Sequence, residues 1–168
     1  MTSNTVTDVL KKAVIMEARG KALYAKVAEQ TTSEGVKKIF NVMADEEQLH
    51  IEFLQKQLSH YHKTGKFDQN ELDRASVDDS IANTILTDSV IKEISGAGFE
   101  AAAISAAIDM ENKSVEVYSA RAQEAVDPNE KELYDWLANW EKGHLKLLID
   151  LNTQLTEQVW YDNNFWPF

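Results

Sequence analysis

The chain has 168 residues, a net charge of −11 and no cysteine. Its length is sufficient for one domain with a substantial core, and its few Gly and Pro residues favour long helices over short strands. The acidic balance disfavours a nucleic-acid partner, and the lack of cysteine excludes disulfides, thiolate zinc sites and iron–sulfur clusters, so a bound metal would need His, Asp or Glu ligands.

The first half of the chain predicts a helical hairpin. Helix one is expected from about Thr7 to Gln30, because its apolar or small residues recur at steps of three and four. Helix two is expected to follow a short turn, with Ser33 as its N-cap and Gly65 as its stop.

The second half predicts another hairpin after a long connection. Residues 66–98 are expected to form this connection, with a shorter helix around Asp79 to Glu93. Helix three is expected from about Phe99 to Ala125. Helix four is expected from Pro128, capped by Asp127, to about Gln158. Two hairpins joined by a crossover predict an all-α antiparallel four-helix bundle over residues 1–158, followed by an aromatic tail at 159–168. An elongated coiled coil would need heptads without these Gly and Pro breaks.

The two hairpins also repeat each other in sequence. Four residues of helix one recur 94 positions later, as from Glu17 to Glu111, and the same shift relates two residues of helix two to helix four. A shared shift across separate helices indicates a duplicated hairpin. The repeated pairs are Met16 and Met110, Glu17 and Glu111, Tyr24 and Tyr118, Ala28 and Ala122, Glu47 and Glu141, and His50 and His144.

Six of the repeated residues are polar, yet they lie on the apolar faces of their helices. Each unpaired buried charge would cost several kcal/mol, and two divalent cations would balance four carboxylates. A lone Glu-x-x-His is common on solvated helices, but two such pairs and two further glutamates at matching offsets favour a metal site. One Glu from each of two helices and Glu-x-x-His from the other two is a known pattern of di-iron and di-manganese bundles. The candidate ligands are Glu17, Glu47, His50, Glu111, Glu141 and His144.

The segments IMEARGKALY, DEEQLH, DMENKSVEVY and WEKGH resemble the rubrerythrin-like branch of the ferritin superfamily, and the resemblance extends to about residue 158. It implies a ferritin-like fold with two iron ions, although manganese or zinc would also accept these ligands. It further implies that Glu17 and Glu111 are terminal ligands, that Glu47 and Glu141 bridge, and that His50 and His144 each complete one iron. Tyr24 and Tyr118 resemble tyrosines that hydrogen-bond the ligand carboxylates, and they could equally be core aromatics.

The resemblance implies an oxidoreductase that reduces hydrogen peroxide or oxygen, with the six ligands as its catalytic residues. Two features depart from the family. Ser114 stands where rubrerythrins carry an extra glutamate, which puts a ligand shift in doubt, and the chain has no cysteine for a rubredoxin domain. The electrons would therefore come from an external donor protein or from Fe(II). Iron storage or handling, and a structural metal-binding bundle that acts through its aromatic tail, remain the alternatives.

Other residues carry weaker predictions. Glu46 is expected at the surface, because neighbouring helix positions point about 100° apart. His60 and His62 are expected to form a solvated helix end rather than a second metal site. The tail has five aromatic residues, and we expect it to pack within a homodimer or higher homo-oligomer, with folding over the bundle or binding of a partner as alternatives. These aromatics are Trp160, Tyr161, Phe165, Trp166 and Phe168.

The sequence also bears on location. The N-terminus has neither a basic start nor an apolar run, and no stretch approaches the roughly 18 apolar residues of a spanning helix. The tail has no basic flank that would favour membrane contact. We therefore expect a cytoplasmic protein with no membrane partner.

Overall fold

The computed structural model describes residues 3–69 and 98–162, which form four long helices. Helix α1 packs along α2, α3 packs along α4, and α1 also contacts α3. No strand occurs in the described ranges. The predicted all-α, ferritin-like four-helix bundle is thus confirmed. The helices are α1 (Ser3–Gln30), α2 (Glu34–Thr64), α3 (Phe99–Glu124) and α4 (Pro128–Asp162).

The predicted limits of α2 are confirmed by its capping groups. The Ser33 hydroxyl accepts a hydrogen bond of 3.2 Å from the backbone N–H of Val36, which satisfies one of the free donors of the first turn. Gly65 ends the helix with φ 72°, in the left-handed region that glycine adopts without a steric penalty. The short turn between α1 and α2 places these two helices antiparallel.

The outer ends of the bundle differ from the predicted limits. Helix α1 begins at Ser3 rather than near Thr7, and α4 continues to Asp162 rather than ending near Gln158. Residues 159–162 contain neither Gly nor Pro, so nothing in their backbone chemistry stops the helix. The helix predicted around Asp79 to Glu93, and the tail residues 163–168, lie outside the described residues.

The core consists of two apolar clusters, one toward each end of the bundle. Phe40, Ile104 and Leu148 belong to the first, whereas Leu10 and Leu137 belong to the second. All five side chains are fully buried. Because both clusters draw on all four helices, they close off the middle of the bundle from either end. None of the described helices is long and apolar enough to cross a membrane.

Candidate metal centre

The six predicted ligands meet between the two apolar clusters. On each helix they replace one or two core positions, so that the stripe facing the bundle axis changes from apolar to ionisable and back. All six side chains are at most 2% exposed. Helix α1 supplies Glu17, α2 supplies Glu47 and His50, α3 supplies Glu111, and α4 supplies Glu141 and His144.

These side chains form two groups of four that could each hold a metal ion. In each group, one potential ligand atom from every residue lies within 4.8 Å of the others. Glu47 and Glu141 belong to both groups, so the two groups share these carboxylates. The first group adds Glu17 and His50, and the second adds Glu111 and His144.

Both histidines direct Nδ1 toward the carboxylates. His50 Nδ1 lies 3.0 Å from Glu17 Oε2 and 3.5 Å from Glu47 Oε2. His144 Nδ1 lies 3.4 Å from Glu47 Oε1 and 3.5 Å from Glu111 Oε1. Nδ1 is therefore the nitrogen available to a metal on either side, and Nε2 points away from the centre.

Two polar atoms inside the cluster indicate that a further ligand belongs there. His144 Nδ1 and Glu141 Oε2 are buried and have no hydrogen-bond partner among the described residues. Such atoms are rare in folded proteins, because an unsatisfied buried polar group costs free energy. A cation between them would satisfy both. Carboxylate and imidazole ligands without thiolate fit iron or manganese, so the residues fit a pair of divalent ions.

Gly20 provides the space that Glu47 occupies. A Cβ atom at this position would lie 3.1 Å from Glu47 Cδ and 3.2 Å from Glu47 Oε1. Any larger residue would thus press on the carboxylate shared by the two groups. The glycine lies one helical turn after Glu17, so α1 both supplies one ligand and makes room for another.

The glutamates differ sharply in acidity. Burial opposes ionisation of Glu17, but hydrogen bonds with His50 and Tyr118 hold its pKa at about 2. Burial likewise opposes ionisation of Glu111, while the His144 imidazole, with Nδ1 3.5 Å from Glu111 Oε1, lowers its pKa. For the shared pair the outcome is opposite. Burial and the charge of Glu17 raise the pKa of Glu47 to about 7, and the same causes raise the pKa of Glu141 well above its usual value.

The histidines carry the complementary charge. Burial alone would lower the pKa of His50, but hydrogen bonds with Glu17 and Glu47 raise it to about 9. Burial alone would also lower the pKa of His144, but the carboxylates of Glu111 and Glu141, each 3.5 Å from its Nδ1, raise the pKa well above its usual value. Below neutral pH, two imidazolium ions thus face two ionised glutamates, and the shared glutamates retain protons. This is how a metal-free centre avoids four uncompensated charges.

Two buried tyrosines connect the halves of the centre. Tyr24 donates a hydrogen bond to Glu111 Oε1, and Tyr118 donates one to Glu17 Oε1. Each tyrosine therefore bonds the glutamate of the other hairpin rather than the one on its own helix. Both rings are at most 1% exposed, so they serve as core aromatics and as donors to the carboxylates.

Glu46 was wrongly predicted to be at the surface. Its side chain is 4% exposed, and its Oε2 lies 2.9 Å from Nε2 of His144. Helix α2 packs against more than one neighbour in the bundle, so two adjacent positions can both be buried. A hint was present in the repeat, since the residue 94 positions later is Trp140, a residue type that is rarely fully exposed.

The remaining histidines do not join a metal group. His60 Nδ1 lies 3.6 Å from a carboxylate oxygen of Asp68, and His62 is exposed. None of the groups of three or more potential ligands among the described residues includes either histidine. Ser114, at the position of the extra glutamate of rubrerythrins, is buried on α3.

A four-helix bundle with this buried set of glutamates and histidines defines a ferritin-like protein with a site that fits metal ions. The family model described as Rubrerythrin matches residues 8–152, and the chain belongs to the rubrerythrin family. The matched range contains all six candidate ligands, and membership of this family implies iron binding. Neither a curated protein nor a solved structure matches the chain significantly.

Proposed function

We propose that the protein is a non-haem di-iron oxidoreductase that reduces hydrogen peroxide or, less readily, oxygen. The observation that supports this most strongly is the pair of four-ligand groups that share Glu47 and Glu141. A shared pair of carboxylates keeps two metal ions close enough to act on one small molecule together. In this proposal, Glu17 and His50 complete one iron site, while Glu111 and His144 complete the other.

When bound, a pair of ferrous ions supplies the two electrons that, with two protons, reduce one hydrogen peroxide to two waters. The residues of the chain would bind the metal ions, shield the centre from bulk water and orient the ligand carboxylates. The apolar clusters at both ends exclude bulk water, which strengthens the electrostatic interactions within the centre. Tyr24 and Tyr118 donate hydrogen bonds from their hydroxyl groups to the terminal glutamates, and these bonds fix the rotamers of the carboxylates.

The two electrons must be replaced from outside after each turnover. Since the chain has no cysteine, it has no thiolate-bound iron of its own to deliver them. We propose an external one-electron donor protein, with Fe(II) as the donor if the protein acts as a ferroxidase. Membership of the rubrerythrin family favours peroxide over oxygen as the oxidant.

Stopped-flow mixing of the diferrous protein tests this function. Anaerobic protein loaded with two Fe(II) is mixed with hydrogen peroxide and, separately, with oxygen, and the absorbance of the oxidised centre is followed. We expect the diferrous centre to be oxidised at least about ten times faster by peroxide than by oxygen. Rapid oxidation by oxygen with peroxide inert would refute the peroxidase, and inertness to both would refute the oxidoreductase.

Iron storage would use the same site but needs a large cage around a mineral. The native mass separates the two functions, because a dimer cannot enclose a mineral core. We propose a cytoplasmic homodimer or small homo-oligomer in which the aromatic tail packs between subunits. Analytical ultracentrifugation tests this, and a cage of many subunits would favour storage instead.

A further inference from the structure

The two hairpins match at the ligands and at the tyrosines, but they differ at the residue directly before each shared glutamate. Glu46 precedes Glu47 on α2, and Trp140 precedes Glu141 on α4. The same shift of 94 positions that relates the ligands, as from Glu17 to Glu111, relates a carboxylate here to an indole. The surroundings of the two candidate metal positions are therefore unequal.

On one side, the outer nitrogen of the histidine has a charged partner. His144 Nε2 lies 2.9 Å from Glu46 Oε2, and both side chains are at most 5% exposed. With Nδ1 bound to a metal, a neutral imidazole carries its proton on Nε2, and this N–H donates a hydrogen bond to the Glu46 carboxylate. Glu46 thus reaches from α2 to α4 and holds the ring with Nδ1 toward the centre.

On the other side, the histidine ring packs against indole rings. Trp136 and Trp140 lie nearly perpendicular to the His50 ring, with ring centroids 5.5 and 5.2 Å away. His50 Nε2 is buried with no hydrogen-bond partner among the described residues, and the same is true of Trp140 Nε1. With Nδ1 on a metal, both atoms are donors, so neither can satisfy the other.

We propose that Glu46 is a positioning residue that makes the two metal positions unequal in affinity. The group of Glu111, His144 and the shared glutamates takes the first ion tightly, and the group of Glu17, His50 and the same glutamates takes the second more weakly. A carboxylate on the outer nitrogen raises the basicity of a ligand histidine, and loss of such a partner costs about 10- to 100-fold in metal affinity. Glu17 and Glu111 each accept one hydrogen bond from a tyrosine, so these bonds do not offset the difference in metal affinity between the two groups.

This inference rests on the proposed two-metal centre, and cobalt binding tests it without any turnover. Co²⁺ is titrated into the metal-free full chain and followed by calorimetry and by the visible spectrum. We expect two sequential equivalents, the first bound about 10- to 100-fold more tightly than the second. His144→Ala should remove the tight step and His50→Ala the weak one.

Glu46→Gln tests the positioning residue directly. The amide keeps the size of the side chain but lacks the charge, so we expect the tight step to weaken about tenfold or more and the weak step to stay unchanged. Glu52→Gln, the same substitution at an exposed position of the same helix, is the matched control and should change neither step. Trp140→Glu gives His50 a carboxylate partner and should strengthen the weak step.

The outcomes separate the inference from the function on which it rests. Two equal steps in the unaltered protein would overturn the inequality, and so would equal weakening of both steps by Glu46→Gln in a variant with unchanged circular dichroism. Fewer than two bound ions in the unaltered protein would instead overturn the two-metal centre itself. The Glu46→Gln result decides the matter even if Trp140→Glu does not fold.

Discussion

The number of protons that the metal-free centre holds predicts how many are released when metal ions bind. Near pH 6 the centre holds four protons that metal ions must displace. His50 and His144 each carry one on Nδ1, because neighbouring carboxylates raise their pKa values. Glu47 and Glu141 each carry one, because burial and the charges of nearby carboxylates raise theirs. Four positive charges then enter as two divalent ions while four leave as protons, so the net charge of the buried centre is unchanged.

We therefore expect saturation of the metal-free protein with Co²⁺ at pH 6.0 to release about four protons per chain. The pKa of Glu47 is about 7, so this residue is already mostly ionised at pH 8. The release should accordingly fall to about three protons at pH 8.

Calorimetry in two buffers of different ionisation enthalpy measures the release, because the apparent enthalpy of binding changes by that difference for each proton transferred. A matched titration of Glu52→Gln, an exposed site on α2, should give the same count. Release of two protons or fewer at pH 6.0 would refute the reasoning. It would show that the two shared glutamates hold no protons for the metal to displace, and that another source of charge stabilises the buried carboxylates.

Three further predictions concern single residues in or beside the centre. Gly20→Ala places a methyl group against Glu47 and should weaken metal binding roughly tenfold with unchanged helicity, as measured by calorimetry and circular dichroism; unchanged affinity would contradict it. Tyr118→Phe removes the hydrogen bond to Glu17 and should destabilise the metal-free protein by about 1–3 kcal/mol in urea unfolding, whereas no change would show that this bond contributes nothing. The pKa of His50 is raised from 6.5 to about 9, so its contribution is present below pH 6.5 and is lost as the pH rises through 9. Metal-free protein should thus lose at least about 3 kcal/mol of unfolding free energy over this range, since the raised pKa of His144 acts in the same direction, and a stability that rises instead would contradict the assignment.

Much of this architecture could be predicted from local chemistry. Ser33 and Gly65 limit α2 because the hydroxyl accepts a backbone hydrogen bond and glycine adopts a positive φ, and neither effect depends on the rest of the fold. The candidate ligands could be predicted because each lies on the apolar stripe of its own helix. The shift from Glu17 to Glu111 then shows that two hairpins carry the same set.

What could not be predicted depends on how the helices pack together. Tyr24 lies two helical turns from Glu17, too far along the same helix to bond it, and its partner is Glu111 across the bundle. Glu46 appeared exposed by its angle to Glu47, yet α4 covers it and places His144 within hydrogen-bond distance. Helix periodicity identifies one buried face, and it does not show how wide that face becomes when several neighbours surround the helix.

The most direct test of the metal centre is the metal content of the protein after anaerobic reconstitution with Fe(II) and removal of loosely bound ions. We predict two irons per chain, measured by elemental analysis, in the unaltered protein and in the Glu52→Ala control. Glu17→Ala combined with Glu111→Ala should retain well below one, because each substitution removes the terminal carboxylate of one group. A metal content that does not respond to this double substitution, or a protein that retains no iron at all, would contradict the di-iron centre.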